Sequence, residues 1–339
     1  MKREKPNRRR SSFVLLVLIF NAAAIFSQSG SLSLSDIHIR DPFIVADKSS
    51  GTYYMYASIS NRLHTIDSTQ GVEVYTSTDL IHWNEPSPVY IIPDNFWAHH
   101  FVWAPEVHAF NGKYYLFVTF TSVDSLPSIP GRPHQQKRGT QVLVADKLTG
   151  PFRPFQNRSH TPTGWMALDG TLWVEDGIPY MVFCHEWIQL ANGTIELARL
   201  KNDLSDLAEE PKTLFRAGDA PWVTDLKMKD EKGNVCLTLV TDGPFLYRTS
   251  KGKLLMIWSS FGVNDYSVGI AESESGKIAG PWKQQERPLF TGDGGHGMIF
   301  RTFDGRLMLS LHKPNNDPDE RAGFYELKDT GDSLFLSRH

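Results

Sequence analysis

The sequence predicts an all-β protein, a five-bladed β-propeller with four antiparallel strands in each blade. Two observations predict this fold. A unit made of an acidic or His residue, a short apolar strand, a Gly-containing turn and a second apolar strand occurs five times in the chain. Each unit is followed by two further strand-like runs, and four-stranded units that recur every 50 to 75 residues, roughly, are typical of a ring of blades.

The first half of each unit shows the repeat most clearly. The five units open, in chain order, at Asp41, Glu106, Asp169, Asp242 and His296. The turns between the first two strands follow at Gly51, Gly112, Gly177, Gly252 and Gly305. Alternating apolar positions rich in β-branched and aromatic residues predict strands on both sides of these turns.

The second half of each unit supplies the outer strands. These runs open near Gly71, Gly139, Gly193, Tyr266 and Gly323. Residues 121–138, rich in Ser, Pro and Gly, are predicted to be a loop insertion in the second unit. A two-sheet sandwich is the alternative all-β fold, but it does not explain five copies of one pattern.

The N-terminus is predicted to be a secretory signal over residues 1–30. A basic run over residues 2–10 precedes an apolar stretch over residues 13–26, which is short for a membrane span. A retained anchor is the alternative interpretation. Residues 31–339 are then a single catalytic propeller domain, secreted or periplasmic, with no membrane association after cleavage.

The overall composition narrows the class of partner. The formal net charge of −3 gives no reason to expect nucleic acid, and we expect a monomer. Cys184 and Cys236 both lie in apolar, strand-like runs and are predicted to be buried free thiols. Their spacing fits neither a metal site nor a redox motif, so no metal ligands are predicted among them.

The propeller geometry gathers residues that are distant along the chain. First strands line the central channel and run in the same direction, so their opening residues are expected to ring one mouth. The second strands return to this mouth and bring Glu186 and Trp187 with them, near Trp103. Aromatic faces pack on sugar rings, and two carboxylates on either side of a glycosidic bond provide an acid and a base.

At these positions the chain resembles glycoside hydrolase family 43, whose five-bladed propellers act on arabinose- and xylose-containing glycans. The resemblance covers essentially all of residues 31–339. It is carried by one short motif per blade, in order: Arg40-Asp41-Pro42, Trp103-Ala104-Pro105-Glu106, Leu168-Asp169-Gly170, Asp242-Gly243-Pro244 and Gly295-His296-Gly297.

The resemblance implies a role for each motif. Asp41 is similar to the general base, and Asp169 to the carboxylate that orients the acid and raises its pKa. Asp242 stands where the family usually has a Glu general acid. Trp103, Glu106, Glu186, Trp187 and His296 are expected to contact the carbohydrate substrate. No cofactor is expected to be required, although the family sometimes holds a cation in the channel near His296.

The shorter side chain at position 242 leaves three interpretations open. Asp242 is the acid, or Glu186 donates the proton from blade three, or the site has lost its acid and only binds glycan. The main prediction is an inverting acid/base hydrolase, with α-L-arabinofuranosyl linkages as the leading substrate. A retaining fructan-type hydrolase also has five blades and three acidic residues, but it lacks support because no Asn-Asp-Pro-Asn signature is present near the start.

Overall fold

The computed structural model describes Met1 and residues 31–59 and 70–337 of the chain. The predicted signal segment, residues 1–30, therefore lies almost wholly outside the described residues. Ser31–His339 forms one compact unit. In the described part, no helix is long and apolar enough to span a bilayer.

The described residues form five four-stranded antiparallel sheets, which confirms the predicted five-bladed propeller. Blade 1 contains β1 (Phe43–Asp47), β2 (Thr52–Ser58), β3 (Gly71–Ser77) and β4 (Ser87–Ile91). Blade 2 contains β5 (Phe101–Phe110), β6 (Lys113–Ser125), β7 (Gln136–Ala145) and β8 (Arg153–Pro154). Blade 3 contains β9 (Ala167–Glu175), β10 (Ile178–His185), β11 (Thr194–Arg199) and β12 (Lys212–Arg216).

The last two blades follow the same order. Blade 4 contains β13 (Asp242–Arg248), β14 (Leu254–Phe261), β15 (Tyr266–Ser273) and β16 (Trp282–Gln284). Blade 5 contains β17 (Gly295–Arg301), β18 (Leu307–Lys313), β19 (Arg321–Asp329) and β20 (Leu334–Leu336). Helical structure between the strands includes one α-turn, α1 (Trp187–Leu190), and two short 3-10 turns, Leu34–Asp36 and Ala217–Asp219.

The ring closes through side chains and loops between blades 1 and 5, because each blade contains only its own four consecutive strands. The Ser310 hydroxyl donates to the carbonyl of Pro42 over 2.9 Å. The Tyr53 ring stacks on Phe303 with 4.0 Å between centroids. These contacts hold the first and last blades side by side, so motifs at the two ends of the chain meet in one channel.

Every inner strand bends at the channel mouth through a two-residue β-bulge or its equivalent. In blades 2 to 5 the ladder skips two inner-strand residues against one residue of the second strand. The first residue at each bend has a positive φ: Asp41 (53°), Ala104 (47°), Asp169 (57°), Gly243 (48°) and His296 (51°). A left-handed backbone at non-Gly residues costs free energy, and such residues cluster at functional sites. This ring of positions is therefore a candidate functional site.

The bends correct one expectation from the sequence. Only Asp41, Asp169 and His296 occupy the equivalent first position of the bend. Asp242 pairs with Ser259 one residue before the bend, and Glu106 pairs with Phe117 just after it. The five motif residues therefore do not share one structural position, because the motifs of blades 2 and 4 meet the bend in a different register from the other three.

The cysteine prediction also needs a correction. Both thiols are free, as predicted, and Cys184 is buried in β10. Cys236 is only partly buried and lies in the irregular segment between β12 and β13 rather than in a strand. Its apolar neighbours Val235 and Leu237 are exposed, so their hydrophobicity did not indicate a core strand.

Candidate active site

A cavity of about 560 Å³ opens at the channel mouth where the bends meet. Its size falls within the range of small-molecule and oligosaccharide sites in proteins. Of the eight predicted site residues, seven line it: Asp41, Trp103, Asp169, Glu186, Trp187, Asp242 and His296. Glu106 does not line the cavity; it is buried and its carboxylate lies 2.8 Å from His108 Nε2.

Asp41 is surrounded by nitrogen atoms. Its Oδ1 lies 3.1 Å from His312 Nδ1, 3.4 Å from His296 Nδ1 and 4.0 Å from Arg40 Nε. Burial alone would raise the pKa of Asp41, but His296, His312 and Arg40 outweigh burial and lower that pKa well below its usual range. Asp41 is therefore an anion near neutral pH.

His312 reaches Asp41 because of a contact that repeats around the ring. The amide of Asp169 donates to Thr119 Oγ1 (2.9 Å), and the amide of His296 donates to Ser259 Oγ (2.8 Å). Each acceptor comes from the second strand of the preceding blade, at the position that pairs just before the bend. His312 occupies this same position in blade 5, and its Nδ1 lies 3.4 Å from the Asp41 amide.

Asp242 has the opposite electrostatic environment. Its burial and the neighbouring carboxylate of Asp169 raise its pKa to about 8, against the partial opposition of Tyr266, His296 and Arg40. The Tyr266 hydroxyl donates to Asp242 Oδ2 over 2.8 Å. Asp242 is therefore protonated near neutral pH and faces the same cavity as the Asp41 anion.

Asp169 lies between these two groups. Its Oδ2 accepts the amide proton of Gly243 (3.0 Å), next in sequence to Asp242, and lies 3.6 Å from His296 Nδ1. Burial, followed by repulsion from Asp41, raises the pKa of Asp169 above its usual range. Gly243 also leaves room for the His296 ring, since a Cβ at position 243 would lie 2.7 Å from that ring.

Glu186 forms a buried ion pair on one wall. Arg138 Nη1 donates to both of its carboxylate oxygens, at 2.6 and 2.5 Å. The Arg138 guanidinium also lies over the Trp103 ring, 4.1 Å from its centroid. Burial raises the pKa of Glu186 and Arg138 opposes that rise, so Glu186 supports the wall through its guanidinium partner.

The loop predicted over residues 121–138 is shorter in the structure, because β6 continues to Ser125 and β7 begins at Gln136. Arg132 lies buried in the loop between these strands. Its guanidinium donates to the carbonyls of Trp187, Ile188 and Leu237. Arg132 thereby ties the loop to α1, which carries the cavity residue Trp187.

A cation near His296 stays a prediction. His296 Nδ1 lies 3.4 Å from Asp41 Oδ1 and 3.6 Å from Asp169 Oδ2. At another part of the cavity wall, His38, Asp317 and Glu320 place possible ligand atoms within 4.8 Å of one another, and Glu320 also accepts from Arg40 Nη1 at 2.9 Å.

Two contributors to the site were missed at the level of sequence, Tyr266 and Arg138, and a third, His312, was assigned no role. Tyr266 stood in a strand-like run with nothing to distinguish it from core residues. His312 ends a second strand, as Thr119 and Ser259 do in blades 2 and 4, and these strand ends were expected at the rim. Arg138 was counted in the loop insertion, but it lies in β7.

A five-bladed propeller whose channel mouth holds an ionised Asp, a protonated Asp and a third carboxylate between them defines an acid/base glycoside hydrolase. Residues 35–336 match the model of glycosyl hydrolases family 43, and the chain belongs to this family.

Known proteins support the same assignment. An endo-arabinase from Bacteroides thetaiotaomicron, known from its crystal structure, is 39% identical in sequence to this chain. The match covers 88% of this chain and 97% of that one, with a TM-score of 0.75. An extracellular exo-alpha-(1->5)-L-arabinofuranosidase from Cellvibrio japonicus is 21% identical, over 86% of this chain and 83% of the relative. An extracellular endo-alpha-(1->5)-L-arabinanase from Bacillus subtilis is 23% identical, over 66% and 68%.

Proposed function

We propose that the protein is an inverting glycosidase that hydrolyses α-L-arabinofuranosyl linkages, with Asp41 as base and Asp242 as acid. The observation that carries this proposal is the pair of partly buried carboxyl groups, Asp41 and Asp242, that line one cavity: Asp41 lies beside His296, His312 and Arg40, which lower its pKa, and Asp242 has Asp169 as a neighbour, which raises its pKa. The substrate class is supported by the relatives, whose names specify arabinanase or arabinofuranosidase activity.

The reaction proceeds in one displacement in this proposal. Asp41 accepts a proton from a water molecule while the oxygen of that water forms a bond to the anomeric carbon. Asp242 donates its proton to the glycosidic oxygen, which leaves with the electron pair of the broken bond. The reaction needs no cofactor in this proposal, since both proton transfers are assigned to side chains of the chain itself.

Asp242 is preferred to Glu186 as the acid for a geometric reason. The Glu186 carboxylate is engaged at both oxygens by Arg138, a pairing that favours its ionised form. Asp242 has Asp169 as its charged neighbour, which favours its protonated form. The alternative of a propeller that only binds glycan finds no support here, because position 242 still presents a carboxyl group to the cavity.

The base assignment is tested with Asp41→Asn on aryl α-L-arabinofuranosides, aryl β-xylosides and linear arabinan. We expect wild-type turnover on the arabinose compounds and a loss of about 10²- to 10⁴-fold in kcat for the variant. Asp47→Asn is the matched control, since Asp47 lies at the far end of β1 and its side chain accepts from the hydroxyls of the turn residues Ser49 and Ser50.

The stereochemistry of the product tests the mechanism. Proton NMR of the first product should show the inverted anomer. Unchanged turnover in Asp41→Asn would refute the base role, and a retained anomer would point to the fructan-type alternative.

We also propose that the chain is exported through residues 1–30. The basic-then-apolar pattern of that segment supports export, as do relatives named extracellular. N-terminal sequencing of the protein from the periplasm or the medium checks this proposal: the mature chain should begin near residues 28–32, and an intact Met1 would contradict cleavage.

A further inference from the structure

Tyr266 is a buried tyrosine that the acid/base scheme does not use. It opens β15, and its hydroxyl donates to Asp242 Oδ2 over 2.8 Å. Its ring stacks on His312, with 5.8 Å between centroids and 22° between planes. Gly295 leaves room for this ring, since a Cβ there would lie 2.2 Å from Tyr266 Cε1. The hydroxyl is therefore held in place by contacts on its ring.

Resting on the acid role proposed for Asp242, we propose that Tyr266 is a positioning residue that determines which oxygen of Asp242 carries the transferable proton. The argument follows from hydrogen-bond chemistry. In a neutral carboxyl group the carbonyl oxygen is the better acceptor, so the oxygen that accepts from Tyr266, Oδ2, is the carbonyl oxygen. The proton is then on Oδ1 and is available to the glycosidic oxygen.

The same hydrogen bond strengthens as the reaction proceeds. When the Oδ1 proton moves to the leaving oxygen, Asp242 becomes a carboxylate and the Tyr266 hydroxyl donates to an anion. Hydrogen bonds to charged acceptors are about twice as strong as neutral ones. An interaction that is stronger in the transition state than in the ground state lowers the barrier.

Tyr266 also helps to orient the carboxyl group of Asp242, whose side chain is shorter than that of a Glu. Asp242 is one methylene shorter than the Glu that the family usually has at this position, and it pairs one residue before the bend rather than on it. Its carboxyl has little freedom to search for the glycosidic oxygen. A fixed donor on one oxygen sets the direction of the other, so orientation comes from the hydroxyl on β15 rather than from a longer side chain.

Other charged or titratable groups face Asp242 and Tyr266 from the surrounding blades. They are Arg40 and Asp41 of blade 1, Asp169 and Cys184 of blade 3, and His296 and His312 of blade 5. Tyr266→Phe leaves all six in place and keeps the ring against His312. The substitution removes one hydroxyl that favours the ionised form of Asp242, so it should raise the pKa of that carboxyl further.

The test measures Tyr266→Phe on aryl arabinofuranosides whose leaving groups range from poor to good. We expect kcat to fall about 10- to 100-fold with poor leaving groups, because misdirected proton donation slows their departure. With good leaving groups, which need no proton, the loss should nearly vanish. The alkaline limb of kcat/KM should also move to higher pH. A merely structural role for Tyr266 would produce neither effect.

Two further variants separate the possible failures. Tyr247→Phe is the matched control, because Tyr247 donates to Asp329 Oδ2 over 3.0 Å and neither residue lines the cavity; its kinetics should stay at wild-type level. Asp242→Asn reports on the acid itself. If Asp242→Asn lacks leaving-group dependence, the proposed acid is wrong.

If Asp242→Asn shows that dependence while Tyr266→Phe slows all substrates equally with an unmoved alkaline limb, the positioning role is overturned. A third variant tests the direction in which the Tyr266 hydroxyl shifts the pKa of Asp242, without loss of packing. Fluorotyrosine at position 266 retains the ring and provides a more acidic hydroxyl, which is a stronger donor. It should move the alkaline limb to lower pH; a move to higher pH would contradict the proposal.

Discussion

Asp side chains on the two sides of the channel mouth have pKa shifts of opposite sign. On the side of blades 1 and 5, Asp41 meets His296, His312 and Arg40, and its pKa is lowered. On the side of blades 3 and 4, Asp169 and Asp242 face each other, and the pKa of each is raised. The contrast creates a base and an acid from identical side chains.

The opposite pKa shifts of Asp41 and Asp169 arise from their neighbouring side chains and not from their backbone conformations. Asp41 and Asp169 occupy equivalent positions at the bends, with φ values of 53° and 57°. Asp169 is buried and Asp41 is partly buried, and burial raises the pKa of either carboxyl. The difference lies in the preceding blade, which places His312 beside Asp41 and Thr119 at the corresponding point beside Asp169.

The largest expected change comes from removing the repulsion on the acid side. Asp169→Asn preserves the side-chain shape but removes the charge that raises the pKa of Asp242. We expect the alkaline limb of kcat/KM to move to lower pH by about one unit or more, and kcat at neutral pH to fall about 10- to 100-fold. A pH profile from about 6 to 10 spans the alkaline limb, which follows the pKa of Asp242. An unmoved alkaline limb would show that burial alone keeps Asp242 protonated.

A smaller change is expected on the base side. His312→Phe keeps an aromatic ring against Tyr266 but removes the nitrogen that lies 3.1 Å from Asp41 Oδ1. Loss of this partner should raise the pKa of Asp41, so the acidic limb of kcat/KM should move upward by about one pH unit. His296 and Arg40 remain, which limits the effect. The alkaline limb serves as the internal control: if both limbs move together, the two sides are not independent.

Much of this arrangement could be predicted from sequence because the repeat carries it. Five copies of a two-strand unit fix the number of blades, and the shared direction of inner strands brings Asp41, Asp169, Asp242 and His296 to one mouth. Composition and spacing cannot show the register at each bend. Glu106 belongs to the same motif pattern, yet it lies two residues past Ala104, which occupies the bend in blade 2.

The supporting residues were harder to predict for a related reason. His312 and Arg138 act through contacts between neighbouring blades, and Tyr266 reaches Asp242 within blade 4, from two strands away. No local pattern in the sequence indicates such contacts. The sequence shows that Asp242 replaces a Glu, but only the folded blade shows a hydroxyl of β15 at 2.8 Å from the carboxyl of Asp242 on β13.

The smallest expected effect concerns thermal stability, and its direction follows directly from the pKa shifts. Asp242 has a folded-state pKa of about 8 against an unfolded value of about 3.9. Its contribution to stability is present below the unfolded pKa and is lost as pH rises through 8. Asp242→Asn should therefore raise the apparent Tm, and by more at pH 8 than at pH 5, roughly, because the variant no longer titrates.

Asp41 should respond in the opposite direction, because its folded pKa is lowered. Its contribution is present above the unfolded pKa and is lost only as pH falls through the lower folded value. Asp41→Asn should lower the apparent Tm at neutral pH, since it leaves His296, His312 and Arg40 without their anion. About 1 kcal/mol moves the Tm of a domain this large by roughly 2 °C, so scanning calorimetry at one fixed rate can resolve both shifts. Two shifts of the same sign would mean that the charges on the two sides do not differ as the cavity geometry requires.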